Sequence, residues 1–311
     1  YGFPESHAAS FALLAYASAY LKAHHHAAFT CALLNNWPMG FYHPATLVSD
    51  AVRHGVEPLP IDVMRSGWLC DLEKDGRALR LGLRYVAGLR EETGRRIEAA
   101  RAQAPFSSLP DFAARAQANE RELATLAEVG ALAALGGTRR QALWQVDAIG
   151  KSGALFARAV STGAGAAAPL PEMTAEEEME ADFHAGSIST GPHPISFARA
   201  ALDRRGVTRA GDLLGVRDGR RVRIAGVVIV RQRPGTAKGF VFITVEDETG
   251  FANAIVTPQR FAEHKHTIVG NSALVIEGVL QNLEGVVSIR ADAFFALEGF
   301  TATFDISHDF H

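Results

Sequence analysis

The sequence predicts a multidomain α+β protein, mainly helical at first and closing with a C-terminal β-barrel of the OB-fold type. Three observations carry this reading. Apolar residues from Ser6 to about Leu34 recur at three- and four-residue steps. Between residues 77 and 150 a helix, a glycine-containing turn and another helix can be read twice. Beyond Arg221 the period drops to two, and five short strands follow with a helix between the third and fourth, which is the OB-fold order.

Ser6 is placed to cap the first helix, and His7 falls in its first turn, where free N–H groups and the helix dipole favour an anion. Phe11, Leu14, Ala15, Ser18 and Leu21 mark one face, which predicts a helix facing a core. His24, His25 and His26 point about 100° apart on a helix, so the three cannot converge on one ion. A break at Trp37-Pro38-Met39-Gly40 precedes a helix from about Pro44 to His54, closed by Gly55. Pro58 and Pro60 demand extended chain, and residues 61–81 read as short strands or connections around Lys74-Asp75-Gly76.

Tyr85-Val86-Ala87-Gly88-Leu89-Arg90 leads into a helix carrying Arg95, Arg96, Ile97 and Arg101. A second unit runs from about Asn119 to Glu128, turns at Val129-Gly130-Ala131-Leu132 and continues to Gly136-Gly137-Thr138-Arg139-Arg140. The pair reads as tandem helix-hairpin-helix units, in which a glycine lets backbone N–H groups approach a DNA phosphate without reading its sequence. Any helical hairpin shares that outline, and Arg90 and Leu132 stand where a second glycine is expected. Gly88, Arg90, Arg95, Arg96, Gly130, Arg139 and Arg140 are the candidate DNA-binding residues of this region.

Residues 161–171 are rich in Gly, Ala and Pro and read as a linker. The acidic block from Glu172 to Asp182 should then start a helix, with negative charge at its N-terminus. Pro192 and Pro194 predict a turn, and His193 between them has no ligand cluster of suitable spacing. In the barrel, the loop from Arg231 to Gly239 is basic and flexible, and Arg231, Arg233, Lys238 and Phe240 are the candidate contacts to a single strand. Phe240 and Phe242 share a strand face; the pattern places Phe242 in the core and leaves Phe240 open between core and base stacking.

Composition excludes some classes and leaves others. Thirty-one Lys and Arg against 34 Asp and Glu give a net charge of −3, so any affinity for nucleic acid must be local. Arg220, Arg221, Arg223, Arg231, Arg233 and Lys238 form such a window, readable as a phosphate track or a solvated face. Two cysteines make neither a disulfide framework nor a zinc site, and no apolar run is long enough for a bilayer. A soluble protein of a reducing cytoplasm, with no membrane partner, is expected.

Tyr1-Gly2-Phe3-Pro4-Glu5-Ser6-His7-Ala8 resembles the Tyr-x-Phe-x-x-Ser-His-Ala motif in the fingers of bacterial C-family DNA polymerases. Leu33-Leu34-Asn35-Asn36-Trp37-Pro38-Met39-Gly40-Phe41-Tyr42 and Gly55-Val56-Glu57-Pro58-Leu59-Pro60-Ile61-Asp62-Val63 are most similar to its error-prone, ImuC-type branch. Thr236-Ala237-Lys238-Gly239 and Glu246-Asp247-Glu248 are similar to the family's OB-fold. The resemblance runs along nearly the whole chain and implies residues 1–76 as the C-terminal part of the α-helical fingers, 77–150 as the helix-hairpin-helix region, 151–200 as linker and acidic helix, 201–299 as the OB-fold, and 300–311 as tail.

By the same resemblance, Tyr1, Ser6 and His7 belong to the pocket of the incoming deoxynucleoside triphosphate. Pro4-Glu5 replaces the family's Asn-Lys, so no phosphate role passes to Glu5. The resemblance implies a DNA-directed DNA polymerase for damage-induced translesion synthesis, whose Mg²⁺ ions sit on carboxylates of a palm upstream of Tyr1. No catalytic residue and no metal ligand are assigned in this chain, and it is expected to be inactive alone. Ser152-Gly153-Ala154-Leu155-Phe156 keeps the apolar anchor of a sliding-clamp motif but lacks its glutamine. Weak or absent clamp binding, with access through accessory mutasome proteins, is the expectation. The alternative is a noncatalytic DNA-binding or mutasome-adaptor module.

Overall fold

The N-terminal apolar stretch forms two helices, α1 (Glu5–His24) and α2 (His26–Asn35), divided at His25, whose φ of −136° and ψ of 46° leave the helical region. The structure, a computed structural model, describes residues 5–39, 42–151, 171–297 and 308–310. It divides into two units, one of residues 1–39 and 50–172 and the other of residues 40–49 and 173–311.

The core-facing reading of the first helix is corrected. Phe11, Leu14 and Leu21 are exposed, as are Leu13, Tyr16 and Tyr20. At 100° per residue the two trios fall on opposite sides of α1, so no single face collects the apolar groups. Burial begins in α2, at Ala27, Thr30, Cys31 and Leu34. Helix α1 also begins before Ser6, which therefore lies inside the first turn and not at its cap.

Helix α3 (Pro44–Arg53) ends where Gly55, at φ +82°, lets Gly55 N–H reach Val52 O at 2.9 Å and Val56 N–H reach Ala51 O at 3.0 Å. Three short strands follow in the order β1 (Glu57–Leu59), β3 (Ala78–Arg80), β2 (Asp71–Glu73), with β1 parallel and β2 antiparallel to β3. Lys74, Asp75 and Gly76 all adopt positive φ in the β2–β3 turn. Cys31 and Cys70 are buried free thiols, and burial pushes the Cys70 thiol up to about 12.

The rest of the first unit is helical: α4 (Glu91–Gln103), α5 (Leu109–Ala116), α6 (Glu120–Glu128), α7 (Ala133–Gly136) and α8 (Arg139–Lys151). Ile97, Leu109, Phe112, Leu126 and Leu132 are fully buried among them. Helix α5 was not expected from the sequence. It is set by Ser108, whose Oγ accepts the Asp111 N–H at 3.3 Å, and ends at Gln117 in the left-handed region.

In the second unit, α9 (Ala175–Gly186) starts on a capping box between Thr174 and Glu177, with Glu176 and Glu178 also in its first turn. The turn at Pro192 runs directly into α10 (Pro194–Arg204), whose cap is His193 Nδ1 accepting the Ile195 N–H at 3.2 Å. The barrel consists of β4 (Arg221–Gln232), β5 (Val241–Asp247), β6 (Gly250–Val256), β7 (Ala273–Leu283) and β8 (Val286–Ala296), with α11 (Pro258–Gly270) between β6 and β7. Its order β5-β6-β8-β7-β4 closes through β4–β5 pairing. A ninth strand, β9 (His308–Phe310), runs parallel to the end of β4.

Ile224, Ile243, Ala254, Ile276 and Ile289 fill the barrel, closed by Ile268 of α11. Ala225, Val227 and Ile229 face the other way, onto Met179, Ile195 and Leu202 of α9 and α10. Strand β4 is therefore buried on both faces from Ile224 to Ile229. The inward set of β5 is Val241, Ile243 and Val245, which puts Phe242 on the outside, 37% exposed. Its expected place in the core is corrected by that register, and Phe240, of the same parity, is half-buried.

Candidate nucleic-acid interface

Two glycine turns of the first unit have the backbone that phosphate approach requires. Gly88 (φ +74°) lies between a 3₁₀ turn (Leu83–Tyr85) and α4, and a Cβ there would meet nothing within 4 Å. Gly130 (φ +75°) lies between α6 and α7, and a Cβ there would sit 2.8 Å from Arg139 Nε. One turn is open and the other is covered. Arg139 Nη1 also donates to Glu128 O at 3.2 Å, fastening that arginine across the Gly130 turn.

The Gly88 turn is tied to the start of α6 by a residue that the sequence reading passed over, Glu122. It is 2% exposed, and its carboxylate accepts from Arg90 Nε (2.9 Å), Arg90 Nη2 (3.1 Å), Arg90 N–H (3.3 Å), Thr93 Oγ1 (3.0 Å) and Asn119 N–H (3.0 Å). Burial alone would raise its pKa, but these donors outweigh it and hold the carboxyl at about 2. The visible signal was Asn119-x-x-Glu122, a capping-box spacing. Arg90 thus ties the Gly88 turn to the start of α6 while its side chain stays half in solvent.

The other arginines of this region also have internal partners. Arg95 pairs with Glu91 and Glu98. Arg96 reaches Glu92 at 2.8 Å and Ala116 O at 3.1 Å, and Arg140 donates to Pro171 O at 2.7 Å. Charge on α4 is balanced, three Glu (91, 92, 98) against three Arg (95, 96, 101).

The end of β4 and the loop after it behave similarly. Arg231 donates to Ile268 O (2.9 Å) and Asn271 O (2.6 Å), closing the end of α11. Arg233 lies over the Phe261 ring at 5.5 Å. Lys238, in the left-handed region at φ +50°, is exposed on the loop. Beyond it the outer face of β5 and β6 carries Phe242, Thr244, Asn253 and Phe251, with Thr244 Oγ1 donating to Asn253 Oδ1 at 2.8 Å. Phe251 is 39% exposed. Four residues of strand separate its level from that of Phe242, roughly 13 Å. Phe251 also lines a cavity of about 310 Å³ with Leu213, Leu214, Gly250 and Val287.

Tyr1 lies outside the described residues, as do the clamp-like segment at Phe156 and residues 161–170 of the expected linker. His7 is exposed on α1 with its ring edge-on to Phe11, centroids 4.5 Å apart. Among the described residues, His26, Asp50 and His54 are the group of His, Cys, Asp and Glu placed to share an ion. One carboxylate does not fit the carboxylate-held Mg²⁺ pair of polymerisation.

A helix-hairpin-helix motif family matches residues 55–142, and an OB-fold nucleic acid binding domain family matches residues 222–297. Over its whole length the chain is 47% identical to the error-prone DNA polymerase of Azoarcus sp. (strain BH72). It is 48% identical over 90% of its length to the error-prone DNA polymerase of Burkholderia pseudomallei (strain K96243), and 44% over 94% to that of Methylococcus capsulatus (strain ATCC 33009 / NCIMB 11132 / Bath). The chain belongs to the error-prone DNA polymerase family. It spans 27–30% of the length of these relatives. The glycine turns and the outer barrel face therefore lie in a polymerase-family chain, within its helix-hairpin-helix and OB-fold matches.

Proposed function

We propose that this chain serves a DNA-directed DNA polymerase of damage-induced translesion synthesis in the cytoplasm, supplying part of the nucleotide pocket and the surfaces that hold DNA. The observation that carries this is the exposed Phe242–Phe251 face, on a nucleic-acid-binding barrel of an error-prone polymerase family member. Bases of a single strand stack on the two rings, and Lys238 meets a phosphate at one edge. Gly88 gives a duplex phosphate close access to the backbone, with Gly130 and Arg139 as the more closed counterpart.

Tyr1, Ser6 and His7 meet the incoming nucleotide, His7 near its triphosphate at the start of α1. The Mg²⁺ ions are held by palm carboxylates in another part of the enzyme, so this chain performs no bond-making step by itself. Accessory mutasome proteins bring the enzyme to the clamp, and direct clamp binding by this chain is weak or absent.

Fluorescence anisotropy with a labelled single strand and a primer-template, at increasing KCl, tests the DNA reading. Affinity should fall with salt, with a slope of roughly 0.7 per single-strand phosphate neutralised. No binding at low salt, or binding indifferent to salt, rejects it. In the full enzyme, His7→Ala should raise the KM for nucleotide with DNA affinity unchanged; an unaltered nucleotide dependence rejects the pocket assignment.

A further inference from the structure

We propose that His26, Asp50 and His54 form a three-ligand site for a divalent transition metal of the Zn²⁺ class. Their donor atoms all lie within 4.8 Å of one another. His26 opens α2, while Asp50 and His54 are four residues apart and so share one face at the end of α3. The adjacent histidines 24, 25 and 26 cannot converge on one ion, but the fold brings the last of them to a partner 28 residues away.

The His26 ring is already oriented as ligating imidazoles usually are, whereas His54 must turn to present its free nitrogen. His26 Nδ1 lies 3.0 Å from Lys22 O, and His54 Nδ1 lies 2.8 Å from Asp50 O. A carbonyl only accepts, so each Nδ1 carries a proton, which leaves Nε2 as the nitrogen of each ring that can offer a lone pair to a metal. The His26 side chain is 9% exposed, and its Nε2 makes no hydrogen bond although it stands 3.5 Å from Asp50 Oδ2. A buried lone pair facing a carboxylate oxygen is unfavourable unless something positive lies between them. The two rings are stacked, centroids 4.2 Å apart and planes 15° from parallel, so the second imidazole is near but must rotate out of the stack for both in-plane lone pairs to meet one ion.

Zn²⁺ bonds of about 2.0–2.2 Å require donors about 3.3–3.6 Å apart, so the group must contract by about 1 Å. His54, with its side chain 48% exposed, has the room to make that movement. Water completes the coordination. Two cations oppose the ion: Lys22 Nζ at 2.9 Å from Asp50 Oδ2, and Arg53 Nη2 at 3.8 Å from Asp50 Oδ1. Lys22 is half exposed on a flexible stem and can leave the carboxylate to the metal.

Co²⁺ titration of the chain, read by visible absorption and by displacement with Zn²⁺, tests the site. One saturable equivalent is expected. His54→Ala, an exposed position that should leave the fold intact by circular dichroism, should weaken binding at least tenfold, and His26→Ala should do the same. Lys22→Met should tighten it severalfold. His24→Ala and His25→Ala should leave it unchanged. No saturable binding, binding that survives His54→Ala, or binding that follows His24 and His25 overturns the site.

Discussion

Replacing Glu122 by Gln tests whether one buried carboxylate holds the Gly88 turn to the start of α6. The shape is kept and the charge removed. In the native chain Oε1 accepts from Arg90 Nε, Arg90 N–H and Thr93 Oγ1, and Oε2 accepts from Arg90 Nη2 and Asn119 N–H. A glutamine must point its NH₂ at one of these donor sets, leaving that buried NH₂ without an acceptor and facing at least two other donors. One or two unsatisfied buried groups cost about 2–4 kcal/mol.

Linkage gives an independent figure. A carboxyl held at about 2 in the folded state against an ordinary value of 4.5 contributes roughly 3 kcal/mol, an order-of-magnitude figure. Because the folded value is the lower one, that stability is complete above about pH 4.5 and is lost as pH falls towards 2. Urea unfolding, with hydrogen exchange read at the amides of α6, should show Glu122→Gln less stable by about 2–4 kcal/mol at pH 7. The gap between variant and native chain should narrow steadily below pH 4.5. A gap under about 0.5 kcal/mol at pH 7, or one unchanged at the acid end, would refute the reasoning.

Three further outcomes follow from the same geometry. Gly88→Ala should cost about 1 kcal/mol from its left-handed backbone alone, whereas Gly130→Ala should cost more, because its Cβ meets Arg139; thermal unfolding of the two variants compares them. Arg231→Ala should destabilise the barrel by about 1–2 kcal/mol by freeing Ile268 O and Asn271 O, with the salt slope of DNA binding unchanged, while Lys238→Ala should lower that slope by roughly 0.7 and leave stability alone. Phe242→Ala and Phe251→Ala should each weaken single-strand binding by about 1–3 kcal/mol in anisotropy titrations with little change in melting; equal affinity in both would remove the stacking face.

The barrel was legible because its strands carry a two-residue period and its helix sits in the gap between the third and fourth. The acidic start of α9 was legible too, since Thr174 and Glu177 form a local box whose geometry needs no tertiary partner. What local pattern could not supply was the second side of an element. β4 is buried on both faces from Ile224 to Ile229 because α9 and α10 cover its outside, and a run of six buried residues has no alternation to read. Phe242 was misplaced for the converse reason: aromatic residues suit either face, and only the pairing of Val241 and Ile243 with Val256 and Ala254 fixes which points in. His26 and His54 meet only through the packing of α2 against the end of α3, which no spacing in the sequence expresses.

The arginines show most clearly what charge reading can and cannot do. Arg90, Arg95, Arg96 and Arg231 were selected as cations, yet each donates to a carboxylate or carbonyl of its own unit. Phosphate binding through such a side chain must first replace an internal partner, so its gain is the difference between two similar interactions. Backbone at Gly88, the Lys238 ammonium and the exposed face of Phe242 carry no such competition. The proposed DNA surface is therefore weakly charged and rich in main chain and aromatic area, a composition suited to tracking a strand without reading its bases.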